Sequence, residues 1–339
     1  MHMVVTSRHY TGRPLTGALR IEGSQIGYPL VYGIPRLTIE SAQRYARWLE
    51  PLGLEPPSNG HMQSSSTVDS FGFEWIWDQQ ARTLDDLRWR VLDRFGLSTV
   101  DFTQQFVLDA GCGAGDQSRW MLDRANVARL ISLDLSDAIS ITYQKLESNS
   151  NWLGVQADLA ALPFAAPVFS IVYCEGVIQH TADSPRAVRE LIRVLQRDGL
   201  LIATHYGLPT SWRGQAVHCL RAGLRRRMSH LDRYTILFLS GCIAALAHVP
   251  ILGRFWGRTA AVTNPRMQNF KATWSCTYDS YGYHSYQRHV SAAEFASYIL
   301  NANSEMEIVW HNGCQLLAKR RRTESETSAT SPVINQEPR

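Results

Sequence analysis

A short apolar run, Phe106-Val107-Leu108, passes without a break into Asp109-Ala110-Gly111-Cys112-Gly113-Ala114-Gly115. Glycines at alternate positions, directly after a buried-strand pattern, let the backbone turn tightly and let a ligand approach with no Cβ in the way. A helix after such a loop directs free N–H groups at that ligand. Few folds open a strand into a helix this way, and most of them place a ligand at the turn.

The alternation continues downstream. Leu130–Leu133, Trp152–Gln156, Ser170–Cys174 and Leu200–Thr204 read as further strands, the last entered through the turn Arg197-Asp198-Gly199. Between the last two, Pro185 to Leu195 is a helix: Pro185 suits its first turn, and Ala187, Val188, Leu191, Ile192 and Leu195 form its apolar face. Strands alternating with helices predict α/β architecture with a parallel, doubly wound sheet. Met306–Trp310 and Gln315–Ala318, joined across His311-Asn312-Gly313, predict an antiparallel hairpin that closes it.

Elsewhere the patterns are looser. Tyr28 to Pro35 reads as a short strand and turn that its prolines confine to a sheet edge. Pro56 to Ser66 reads as a linker, and a helix is expected from Glu74 to Phe95, with Leu84, Leu87, Val91 and Leu92 inward. The expected organisation is a small module at 1–55, linker and leading helices at 56–100, a core at 101–206, an inserted helical cap at 207–290, a closing helix and hairpin at 291–320, and a disordered tail at 321–339.

Composition narrows the function. Thirty-four Lys and Arg against 30 Asp and Glu leave a formal charge of +4, too small by itself to argue for nucleic acid. Ten Trp and eleven Phe exclude disorder for the bulk of the chain. The six cysteines, at 112, 174, 219, 242, 276 and 314, form no C-x-x-C pair, and Met1 to Arg20 holds no apolar leader, so reduced thiols and a cytoplasmic location are expected. In the cap, Arg221 and Arg225–Arg227 read as a solvated helix face, with a phosphate, an anionic lipid or RNA as other partners. The uncharged run Tyr234–Gly253 reaches spanning length, but Gly241, His248 and Pro250 interrupt it. Buried cap helices are expected, with membrane-surface contact through 221–253 as the other reading.

The predicted strand tips carry the chemistry. Asp134, in Leu133-Asp134-Leu135-Ser136, can accept hydrogen bonds from both ribose hydroxyls of an adenosine-type ligand. Asp158, in Gln156-Ala157-Asp158-Leu159, can accept from an adenine amino group or simply cap a helix. The fourth strand runs into Cys174-Glu175-Gly176-Val177-Ile178-Gln179-His180. All lie at carboxyl ends of parallel strands, where open α/β sheets bind ligands. A nicotinamide site is disfavoured by Asp116, which stands where a dinucleotide fingerprint carries glycine or alanine.

Taken together, Asp109–Gly115, Asp134-Leu135-Ser136, Ala157-Asp158-Leu159 with Leu162-Pro163-Phe164, Phe169–His180, and Arg193-Val194-Leu195 with Asp198-Gly199-Leu200 resemble a class I S-adenosylmethionine-dependent methyltransferase, nearest to its ubiquinone/menaquinone-type small-molecule branch. The resemblance covers about 100–205 and implies a Rossmann-like sheet of seven strands with an antiparallel terminal hairpin. It implies S-adenosyl-L-methionine as cofactor, held by Asp109, Gly111, Cys112, Gly113 and Gly115 at its methionine part. Asp134 and Leu135 would meet the ribose, Asp158 and Leu159 the adenine, and Glu175 and Gly176 the region beside the sulfonium. Phe73 or Trp75 is expected to fold over the site. Tyr28–Leu37 and Phe71–Trp75 are similar to segments of bacterial methyltransferases with a zinc-ribbon-derived front module. Residues 1–55 lack cysteine, so no thiolate zinc site is expected there.

A hydroxyl acceptor must lose its proton, and histidine suits that task near neutral pH. His180 is the first candidate, His205 the second, then His284 and His289; none of these residues is expected to hold a metal. The cap aromatics Trp256, Trp274, Tyr278, Tyr281, Tyr283 and Tyr286 either wall an acceptor pocket or form the cap's own core. The expected function is methyl transfer to a small molecule, an oxygen of a natural product, sugar or quinone-like compound. An RNA methyltransferase, a non-catalytic scaffold of the same fold and a nicotinamide oxidoreductase are the alternatives.

Overall fold

The structure, a computed structural model, describes residues 3–8, 16–58, 71–75, 83–165, 167–251, 253, 260–261, 269–282 and 286–321. The tail from 322, most of the expected linker, Trp256, Tyr283 and His284 lie outside the described residues.

Two sheets organise it. The first is antiparallel, in the order β1 (Met3–Arg8), β2 (Thr16–Ile21), β3 (Gly27–Val31), β4 (Ile34–Pro35). Contrary to expectation, β3 is not an edge strand. Proline at 29 is tolerated because its carbonyl carries the bond to the neighbouring chain, accepting from the Arg36 N–H. The second sheet comprises β5 (Phe106–Ala110), β6 (Arg129–Asp134), β7 (Trp152–Gln156), β8 (Phe169–Cys174), β9 (Leu195–Thr204), β10 (Met306–Asn312) and β11 (Gln315–Arg320). Its order is β10-β11-β9-β8-β5-β6-β7, parallel except where β11 joins β9 and β10.

Period-2 alternation divides the strands between two cores. Leu108, Val172, Cys174 and Leu201 face one side, while Val107, Ile171, Tyr173 and Ile202 face the other. The helices, in chain order, are α1 (Ile39–Arg44), α2 (Leu84–Val91), α3 (Thr99–Phe102), α4 (Asp116–Arg124), α5 (Ile139–Leu146), α6 (Ser184–Val194), α7 (Trp212–Met228), α8 (Arg233–His248), α9 (Phe270–Tyr281) and α10 (Ala292–Ala302). Helices α6 and α10 cover the first face with Ala187, Val188, Leu191, Phe295 and Ile299. Helices α2 and α4 cover the second with Leu87, Val91, Trp120 and Met121. Leu84, expected inward, is exposed at the start of α2.

Three further details differ from the sequence reading. The expected Glu74–Phe95 helix is a helical turn at 71–75, then α2, then a short 3₁₀ turn Asp93–Phe95 stopped by Gly96 at φ 70°. The closing hairpin turns on Gly313 and Cys314, one residue later than Asn-Gly, because Asn312 still pairs with Gln315 and Gly313 takes the positive φ. In the cap, α8 buries only a narrow stripe, Ile236, Ser240 and Ala244; Tyr234, Phe238 and Leu246 are exposed. Among the described residues no helix is long and apolar enough to cross a membrane.

The small N-terminal sheet reaches the large one at its edge strand. The Leu37 N–H donates to the Gln156 carbonyl at 2.8 Å, extending pairing beyond β7. Arg36, 1% exposed, donates to Gln156 Oε1 and Ser140 Oγ, both at 2.9 Å, and lies 3.6 Å from Asp137. An edge that would otherwise recruit another chain is thereby covered.

Candidate active site

The glycine loop is built mostly to fit the protein. Gly111, Gly113 and Gly115 take φ of 89°, 54° and 77°, which β-carbon-bearing residues resist. A Cβ at Gly111 would stand 2.2 Å from Val177, one at Gly113 would stand 2.5 Å from the Trp75 ring, and one at Gly115 would stand 2.4 Å from Thr142. Several loop amides bond inward as well: Gly111 and Cys112 donate to the Leu133 carbonyl, and Gly113 donates to Asp134. Lys145 pins the far side, donating to the Ala114 carbonyl at 2.8 Å and pairing with Asp116 at 2.7 Å.

A pocket of about 100 Å³ opens at the strand tips, walled by Leu135, Ala157 and Leu159, with Asp134, Gly176 and His180 around it. Asp134 ends β6. Its Oδ1 accepts from the Ser136 N–H and hydroxyl, its Oδ2 from Gly113 at 2.9 Å, and burial holds its pKa above the ordinary carboxylate value. A carboxylate offers about four acceptor directions, so capacity remains for a ligand hydroxyl. A buried acceptor beside flat apolar walls fits the ribose and ring of an adenosine-type group. Phe71 and Trp75, four apart on the turn 71–75, roof this pocket. Phe73 lies on the other face and packs on Tyr234 and Tyr278 of the cap, so Trp75 meets the expectation and Phe73 does not.

The remaining predicted residues are placed as follows. Asp109 is 2% exposed and faces the α4 side rather than the pocket. Ser118 donates to it at 2.5 Å, Ser118 and Ser132 share a bond of 2.7 Å, and Trp152 Nε1 donates to Ser132 at 2.8 Å. Burial pushes its pKa up to about 7. The Cys112 thiol is buried near Thr142 and Ile139, and burial pushes its pKa well up. Asp158 Oδ1 caps the 3₁₀ turn Leu159–Ala161 through the Ala160 N–H. Glu175 borders the pocket, but its carboxylate turns toward Arg90 (2.9 Å), Arg94 (2.6 Å), Tyr173 and Gln117. Sequence reasoning missed Arg90, Arg94 and Gln117. Their partner is some 58 to 85 residues away, and no local pattern announces the pairing.

The histidines separate. His180 borders the cofactor-side pocket, its ring edge-on to Phe71 and Tyr206. Its Nδ1 lies 3.0 Å from the Tyr286 carbonyl, which can only accept. The proton therefore sits on Nδ1 and the basic lone pair on Nε2. The Arg288 N–H donates to the Gln179 carbonyl and the Arg288 guanidinium to the Ala182 carbonyl, so the segment before α10 braces this turn from outside. His205 instead lines a second, larger cavity in the cap and packs on Phe295; burial lowers its pKa. His289 borders that cavity too. Tyr278 and Tyr281 are fully buried in the cap cluster with Met228 and Ile236, and Trp274 donates to the Leu237 carbonyl, so these aromatics form the cap's core. All six cysteines carry free thiols. Among the described residues no group of His, Cys, Asp and Glu is arranged to hold a metal ion.

Residues 108–203 match the family model described as a methyltransferase domain. The core is thus a methyltransferase domain, and its cofactor is S-adenosylmethionine. Relatives share this part. The malonyl-(acyl-carrier protein) O-methyltransferase of Methylovorus sp. (strain MP688) is 32% identical over 162 residues, covering 46% of this chain and 52% of its own. The protein of the same name from Gallionella capsiferriformans (strain ES-2) is 33% identical over 165 residues, covering 47% and 55%. The chain therefore spans about half the length of these curated relatives. Among solved structures, the N-methyltransferase NodS of Bradyrhizobium japonicum WM9, in complex with S-adenosyl-L-homocysteine, aligns with a TM-score of 0.36 and 17% identity over 42% of this chain and 75% of that one.

Proposed function

We propose that the whole protein is an S-adenosylmethionine-dependent methyltransferase of the ubiquinone/menaquinone-type branch, which methylates an oxygen of a small-molecule acceptor. The observation that carries the reading is His180. Its tautomer is set by the Tyr286 carbonyl and its ring stands in the wall of the cofactor-side pocket. The O-methyltransferase names of the relatives point the same way.

When bound, the cofactor supplies an electrophilic methyl group. The chain's own work is alignment and proton handling. Asp134 would hold the ribose hydroxyls, Leu135 and Leu159 the ring, Asp158 the adenine edge, and the backbone of the loop Gly111–Gly115 the methionine part. Glu175 and Gly176 would border the reacting centre, with Arg90 and Arg94 fixing the direction of the Glu175 carboxylate. His180 would take the acceptor proton at Nε2 while its Nδ1–H stays on Tyr286. Alignment of nucleophile and methyl is the larger contribution, up to roughly 7–11 kcal/mol in the best intramolecular cases.

The test is calorimetric titration of the full chain with S-adenosylhomocysteine, with NAD and Asp134→Ala as controls. Stoichiometric binding lost in the variant supports the reading. Binding of NAD instead would overturn it, and absence of both would leave a scaffold role.

A further inference from the structure

Asp134, Leu135 and Ser136, three residues of the cofactor-side pocket, follow one another where the chain leaves β6 for α5. Much of what holds that segment lies outside the pocket, in or beside the N-terminal sheet. Gln156, buried at the end of β7, donates from Nε2 to the Leu135 carbonyl at 3.0 Å and to Asp137 at 3.3 Å. Its Oε1 accepts from Arg36, directly after β4, at 2.9 Å. Arg36 also donates to Ser140 in α5, and Asp137 pairs with both Arg36 and Arg44 of α1. The segment is thus gripped at Leu135, Asp137 and Ser140.

The direction of these bonds decides what they do. A guanidinium has donors and no acceptor, so Arg36 draws the oxygen of the Gln156 amide to itself and leaves the NH₂ for Leu135. Without Arg36 the amide is at liberty to turn over, and its oxygen would then face the Leu135 carbonyl. Leu135 joins Asp134 to Ser136, and the Ser136 N–H and hydroxyl both donate to Asp134 Oδ1. A displaced Leu135 carbonyl therefore moves the carboxylate that would take the ribose. A second contact runs from the same sheet: Ile34 of β4 packs in one buried cluster with Cys112 of the glycine loop and Ile139 of α5.

We propose that the N-terminal sheet sets cofactor affinity, with Arg36 and Gln156 as positioning residues that act through the Leu135 carbonyl on Asp134. This rests on the assignment of Asp134 to the ribose, and the test keeps the two apart. The full chain is titrated with S-adenosylhomocysteine at a temperature at which melts show each protein folded, so a residue with a merely structural role leaves the Kd unmoved. Gln156→Glu keeps the shape and the acceptor for Arg36 but sets an oxygen against the Leu135 carbonyl. At pH 8 it should bind at least about tenfold more weakly than wild type, the worth of one hydrogen bond. The deficit should shrink toward pH 5, because a protonated carboxyl accepts at one oxygen and donates from the other, as the amide does. Arg36→Met removes the guanidinium, keeps an unbranched side chain, and should weaken binding by a similar factor at both pH values. It also covers the case in which the first variant fails to fold. Wild-type affinity in either variant overturns the proposal, and a Gln156→Glu deficit equal at pH 8 and pH 5 overturns the route through Leu135. Binding lost in Asp134→Ala but kept in these variants removes the positioning role alone, whereas a wild type that does not bind removes the ribose assignment and this role with it.

Discussion

Asp109 and His180 put opposite demands on single residues. The Asp109 carboxyl is buried deeply enough to favour its neutral form, with a pKa of about 7 against an ordinary 3.8. A carboxyl whose pKa is raised by folding contributes stability that is complete below its unfolded pKa and is lost as pH climbs to the folded value. Between pH 4 and 7 wild type should therefore lose up to about 1.4 kcal/mol per pH unit relative to Asp109→Asn, which keeps the acceptor for Ser118 and has no proton to lose. Denaturant unfolding of both proteins across that window checks it, and a constant difference would refute the burial argument. At His180 the demand is chemical. His180→Ala should leave S-adenosylhomocysteine affinity near the wild-type value and lower single-turnover methyl transfer by roughly 10²–10⁴-fold. Once an acceptor is in hand, rapid-quench measurement decides it; an unchanged rate would remove His180 as the base.

Elements matter through what they bring to the strand tips. The turn 71–75 lays Phe71 and Trp75 across the glycine loop, and its ring at Gly113 narrows the pocket to about 100 Å³. A cofactor-sized ligand needs more than that, and Trp75, which roofs the pocket, is expected to shift on binding. Titration with S-adenosylhomocysteine should change tryptophan emission, and the change should shrink in Trp75→Phe while binding persists; an identical change in the variant would place the motion elsewhere. The N-terminal sheet acts through Arg36. Removing one partner from a buried charged set costs about 3–5 kcal/mol. Arg36→Ala should lower stability by that order and loosen the β7 edge, with faster amide exchange at Gln156 and Leu37. Normal exchange there would mean the small sheet is held by its apolar contacts instead.

At the scale of the whole molecule, ligand and fold are linked. S-adenosylhomocysteine at 100 times its Kd should stabilise the chain by about 2.7 kcal/mol, and Asp134→Ala should abolish that gain. A thermal or chemical melt reads it directly. Much of this molecule could be read from short-range pattern. Short apolar runs mark β5 to β9 because a strand covered on both faces must feed two cores, and the 3.6-residue period marks α6 because one stripe must be buried. The glycines at 111, 113 and 115 announce a loop that only they can turn, although what their missing Cβ atoms make room for is Val177, Trp75 and Thr142. Long-range contacts are another matter. That Glu175 is turned away by Arg90 and Arg94, that His180 stands at the pocket while His205 backs onto the cap, and that an arginine cluster with the look of a solvated helix face lines a cavity, all depend on side chains far apart in the chain. Backbone pattern is decided by neighbours a few residues away and survives in any sequence window. The partner of a buried charge is decided by how whole elements pack, and no window contains it.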